Sequence, residues 1–149
     1  MIARLFIISG IVLFISCKST KQSDSEKFPM VMMERTACMG SCPACVFNVY
    51  PDGSATYEGK SDVALIGNYA TTLSTEQLDI LKNSFEEADF FKFANVYSAN
   101  VTDLPTTFIY YNNGKESLKI TDYYGAPEPL KGLEAKVVSF IEALSWEKQ

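Results

Sequence analysis

Val46-Phe47-Asn48-Val49-Tyr50-Pro51-Asp52-Gly53-Ser54-Ala55-Thr56-Tyr57-Glu58-Gly59 decides the fold. The opening residues are mostly β-branched or aromatic, the composition of a strand. Pro51 presets φ, the Asp52 side chain caps the turn, and Gly53 takes positive φ, so the chain reverses. Residues 54–59 return as the partner strand. An antiparallel hairpin is thereby predicted.

Working outward, residues 30–35 read as a strand preceding the hairpin. Between them lies a turn of cysteines punctuated by Gly40 and Pro43. Residues 63–73 carry a third or fourth strand, interrupted near Gly67. Ser74-Thr75-Glu76-Gln77 then has capping-box spacing, in which Ser74 accepts from the Gln77 amide and Gln77 reaches back. Leu78, Leu81, Phe85 and Ala88 follow at helical spacing, which predicts a helix over 75–88. Residues 89–103 are irregular, with Phe90, Phe91 and Phe93 expected over the core. Residues 106–111 and 116–121 form a second hairpin about Asn113-Gly114. A last helix starts near Pro127, with Leu130, Leu133, Val137, Ile141 and Leu144 as its apolar stripe. Strands and helices come in separate runs. The expected class is α+β, an antiparallel sheet of about five to six strands with both helices packed on one face. Residues 29–149 make one domain around one core.

The start of the chain sets the compartment. Arg4 supplies a positive charge, and residues 5–15 are an eleven-residue apolar run broken only by Ser9 and Gly10. A spanning helix needs about twenty apolar residues, so this run reads as a secretory leader. Phe14-Ile15-Ser16-Cys17 resembles a bacterial lipobox. That resemblance implies a signal peptide over 1–16, cleavage before Cys17, and acyl chains on Cys17. Each buried CH₂ contributes about 0.8 kcal/mol, so two or three chains hold a protein on a bilayer. Lys18-Ser19-Thr20-Lys21-Gln22-Ser23-Asp24-Ser25-Glu26-Lys27 has no apolar residue. Residues 17–28 therefore read as a lipidated flexible tether. The expected location is the cell envelope, lipid-anchored to a bacterial membrane and facing the periplasm or exterior.

Charge and composition exclude several functions. The whole chain carries −5; without Arg4, 12 basic and 18 acidic residues leave −6. No basic cluster marks a nucleic-acid footprint. The chain has no histidine, which removes the commonest general base and metal ligand.

Cys38, Cys42 and Cys45 are spaced C-x3-C-x2-C, as in the iron–sulfur motif of radical S-adenosylmethionine enzymes. Those enzymes need a large barrel and a reducing compartment, neither of which suits a short exported chain. Zinc wants four ligands, and only three cysteines are present. Neither cofactor nor metal is expected, and no catalytic residue is assigned. Cys42-Pro43-Ala44-Cys45 also looks like a thiol–disulfide exchange motif. Such a motif opens a helix that lowers the thiol pKa, whereas residues 46–50 here read as a strand.

Glu34-Arg35-Thr36, Cys38, Gly40 and Cys42-Pro43 together resemble the signature of an uncharacterised family of small bacterial envelope lipoproteins. Asp52-Gly53, Thr56-Tyr57-Glu58-Gly59, Asp103-Leu104-Pro105-Thr106-Thr107 and the stretch from Leu130 to Leu133 share the likeness, which spans about residues 30–144. The family is classed as a domain of unknown function. It implies a compartment and a pairing of Cys38 with Cys42, but no activity. Its usual residue at position 45 is apolar or aromatic, so Cys45 departs from the pattern.

Chain geometry leaves three cysteine pairings to weigh. Cys38 and Cys42 flank Gly40 four residues apart, a spacing that one helix-like turn brings within bridging range. Cys38 with Cys45 needs a wider loop and ranks second. Cys42 with Cys45 is stretched apart by the strand that Cys45 enters. A Cys38–Cys42 bridge with Cys45 buried is expected. Arg35, at a strand end in an acidic domain, is expected to pair with Glu58, Asp103 or Asp122, with Asp103 favoured. Asp103 and Asp122 flank the second hairpin and suggest a carboxylate pair, although single carboxylates there more often cap turns. The functional expectation is a membrane-tethered, non-catalytic domain binding an envelope protein or small ligand. The alternative is a redox protein using Cys42 and Cys45.

Overall fold

The hairpin around Gly53 sits inside the sheet of the computed structural model, which describes residues 28–149. Gly53 has φ of 85°, and the Ser54 amide donates to Asp52 Oδ1 at 3.0 Å. The leader, Cys17 and the tether through residue 27 lie outside the described residues.

Eight strands and two helices form an α+β domain: β1 (Val31–Arg35), β2 (Ala44–Val49), β3 (Ser54–Ser61), β4 (Gly67–Thr72), α1 (Thr75–Glu87), β5 (Val96–Tyr97), β6 (Thr107–Asn112), β7 (Ser117–Asp122), α2 (Glu128–Ala143) and β8 (Glu147–Lys148). They form one open sheet in the order β5-β7-β6-β1-β2-β3-β4-β8. The five-to-six-strand, antiparallel expectation is thereby corrected. β5 pairs with β7 in parallel, which makes the sheet mixed. The added strands, β5 and β8, have two residues each. A pattern of period two cannot register in so short a segment.

Registers align the inward side chains into rows across the sheet. Leu118, Tyr111, Val31, Val49 and Ala55 make one row. Ile120, Ile109, Met33, Phe47 and Tyr57 make the next. Nearly all of these are buried. Full burial of each large apolar side chain stabilises the fold by roughly 1.5–3 kcal/mol.

Both helices cover this inner face. α1 begins with the reciprocal Ser74–Gln77 capping box and buries Leu81 and Phe85. The Phe85 ring stacks on Tyr111 with centroids 4.6 Å apart, and the Tyr111 hydroxyl donates to Glu86 at 3.1 Å. The Tyr111 phenol is pushed up to about 12, by burial first and then by Glu86. α2 buries Leu130, Leu133, Val137 and Ile141. Phe90 lies in the core with Phe91 and Phe93 packed on it. No helix among the described residues is long and apolar enough to cross a membrane.

Candidate functional site

One row of the inner face breaks the apolar pattern. Pairing registers place Asp122, Thr107, Arg35, Cys45 and Gly59 side by side on β7, β6, β1, β2 and β3. Strand alternation turns Arg35 inward, two positions beyond Met33. The row falls at the strand ends, where the sheet meets the cysteine turn and α2. Thr36 and Thr106 hold this edge together. The Thr36 amide donates to the Thr106 carbonyl at 3.0 Å, and the Thr106 amide donates to Thr36 Oγ1 at 2.9 Å.

Gly59 explains how the row opens into a cleft. A Cβ at Gly59 would stand 1.7 Å from the Leu65 carbonyl oxygen. Only glycine lets the loop after β3 fold back so closely. That loop brings Val63 and Leu65 beside Arg35, Cys45 and Tyr57. Opposite them stand Ile141, Glu142, Leu144 and Trp146 at the end of α2 and beyond, and together they enclose a cleft of about 470 Å³. The Tyr57 and Trp146 rings pack with centroids 5.5 Å apart.

A second cleft, also about 470 Å³, lies on the other side of Arg35. Its walls include Pro105, Thr107, Asp122, Lys131, Glu134 and Val138. Asp122 is 1% exposed. It binds the Lys131 ammonium, which also reaches Glu134 at 3.3 Å. Asp122 Oδ1 and Glu134 Oε1 are buried, and neither accepts a hydrogen bond from the described residues. Burial pushes the Glu134 carboxyl up to about 7, with Lys131 opposing the shift and Asp122 adding to it. Burial alone would lower the Lys131 ammonium, but its two carboxylates outweigh that and raise it.

The cysteines divide by position. Cys38 and Cys42 lie at disulfide-bonding distance, with Cα atoms 5.6 Å apart. Cys45 is a buried free cysteine on β2. Burial raises its thiol pKa, and the charge of Arg35 pulls partly the other way. Beside it, the Tyr57 phenol is pushed up to about 12, mainly by burial. Cys42 and Cys45 are thus not brought together as an exchange pair in this structure.

Arg35 and Asp103 are not joined either. Arg35 is half-buried inside the row, whereas Asp103 is exposed, with φ of 66° in the loop before β6. Among the described residues Arg35 has neither an ion pair nor a side-chain hydrogen bond. Of the two aspartates flanking the second hairpin, only Asp122 enters the site. Lys131 and Glu134 were not foreseen from the sequence. Their i,i+3 spacing reads as a solvated helix face, and only the crossing of α2 over β7 sets them against Asp122.

Fold and row together define a class: an α+β domain with an open sheet, covered on one face, whose polar end is flanked by two ligand-sized clefts. The segments that carried the sequence likeness converge there, through Arg35, Gly59, Thr107 and the first turns of α2. The chain belongs to the family described as Domain of unknown function (DUF6438), whose model matches residues 29–141. No curated protein matches the chain.

Proposed function

We propose that this chain is a lipid-anchored envelope protein whose folded domain binds a ligand or partner at its Arg35 end. The carrying observation is the Ser16-Cys17 junction after a short apolar run, followed by a tether without apolar residues. Acyl chains on Cys17 would hold the domain at a membrane without a spanning helix. Binding is supported by a half-buried arginine between two clefts, with no carboxylate of the described residues paired to it.

In this reading Cys38 and Cys42 form a disulfide that closes the turn after β1, and Cys45 stays a thiol. A loop this short contributes about 2 kcal/mol in the chain-entropy model. A redox role for Cys42 and Cys45 is less well supported, because burial disfavours the Cys45 thiolate that exchange requires.

Cys17→Ser tests the anchor. The variant should leave the membrane fraction, and mass spectrometry should find acyl groups on the native protein only. A variant that still sediments with membranes, alongside an unacylated native protein, overturns the anchor. Peptide mapping without reductant should recover Cys38 linked to Cys42; a Cys42–Cys45 link would revive the redox reading.

A further inference from the structure

We propose that the cleft between Arg35 and Trp146 is a site for a carboxylate-bearing amphiphile, an apolar chain ending in one carboxylate. The inference rests on the reading of the domain as a binding module and names the ligand class. Four features carry it. Arg35 is turned inward, half-buried, and unpaired among the described residues. A guanidinium so placed is best satisfied by a planar, bidentate anion. The cleft volume, about 470 Å³, falls in the range of small-molecule sites. Its walls away from Arg35 are apolar: Val63, Leu65, Leu144 and the Trp146 ring.

The remaining charges agree with an anion seated on Arg35 and a chain pointing away from it. Asp62 and Glu142 also line this cleft, but both are exposed. Water and salt screen their repulsion, whereas the half-buried Arg35 is screened less. Asp122 pairs with Lys131 and makes no ion pair with Arg35. Cys45, the cross-strand neighbour of Arg35, is buried and its thiol is held protonated by burial. It therefore adds no negative charge beside the incoming carboxylate.

The chain holds one tryptophan, and it lines this cleft, so its emission reports occupancy directly. The full chain carrying Cys17→Ser, prepared without detergent, is titrated with decanoate and with the uncharged decanol. Decanoate should shift Trp146 emission saturably, and decanol should bind at least tenfold more weakly. Arg35→Gln should weaken decanoate at least tenfold and leave decanol unchanged, with Arg35→Lys between. Circular dichroism checks that each variant folds. If Arg35→Gln does not fold, the decanoate-to-decanol ratio in the parent decides. No saturable shift with decanoate, or equal affinity for acid and alcohol, overturns the proposal. Either failure leaves the membrane anchor standing, because release of Cys17→Ser from membranes is measured separately.

Discussion

The two ends of the inner sheet face are built from the same strands and solve different problems. At the Val31 end, Tyr111, Val31, Val49 and Ala55 are sealed under α1, and each is at most 2% exposed. At the Arg35 end, the same strands present a carboxylate, a hydroxyl, a guanidinium, a thiol and a glycine. The first end removes apolar area from water, which is the main source of stability. The second keeps charge half-dry beside two clefts, which costs stability. Four positions along each strand separate one row from the other, with the apolar Met33 row between them.

Substitution should expose that division. Phe47→Ala, in the apolar row next to Arg35, should cost about 3–5 kcal/mol, since Phe47 is fully buried and packs edge-on to Trp146 at 6.1 Å. Arg35→Gln should change stability by less than about 0.5 kcal/mol. Urea denaturation measures both. Comparable losses would mean that the polar row is ordinary core, and the contrast would collapse.

Gly59→Ala should rank next, at about 3 kcal/mol, because its Cβ has no room against the Leu65 carbonyl. The cost should come with altered Trp146 emission as the loop is pushed off β3. A neutral outcome would show that the wall of the cleft is free to move.

Glu134 gives a pH test of intermediate size. Its carboxyl ionises at about 7 when folded, against an ordinary 4.5. Between those values the folded chain keeps a proton that the unfolded chain has released. The contribution is complete below the lower value and is lost as pH rises through about 7. The expected decline is about 3 kcal/mol, read by denaturation at several pH values. Glu134→Gln should flatten it. A slope that survives the substitution would place the titrating group elsewhere.

The smallest effect belongs to the uncovered face. Lys60 lies 3.6 Å from Glu34, with side chains 43% and 35% exposed. Lys60→Ala should change stability by no more than about 0.5 kcal/mol in thermal melts. A larger loss would mean that the outer face is less solvated than its exposure implies.

Much of the fold was legible because local chemistry and tertiary structure agree. Pro51-Asp52-Gly53 and Asn113-Gly114 mark the turns that form, with Gly114 at φ of 88°. The Ser74–Gln77 box caps α1 as its spacing requires. β5 and β8 were not legible, because two residues carry no period and pairing alone defines them. The site was legible only in pieces. Arg35, Cys45 and Asp122 each drew notice, but their alignment depends on registers between strands distant in sequence. The partner expected for Arg35 followed charge composition, whereas the structure gives Asp122 to Lys131 on α2. Gly59 was part of the family likeness, yet its role depends on a carbonyl six residues onward that no spacing rule reveals.

The two-residue strands β5 and β8 have a consequence for molecules in numbers. They are the outermost strands of the sheet, on opposite sides. A long exposed edge is a template on which another chain can extend the sheet. Here each margin ends in a stub that pairs with only part of its longer neighbour. The lipid anchor proposed for Cys17 would confine these domains to two dimensions, where they would meet far more often than in free solution. Blunt margins let such a population crowd without zipping into fibres.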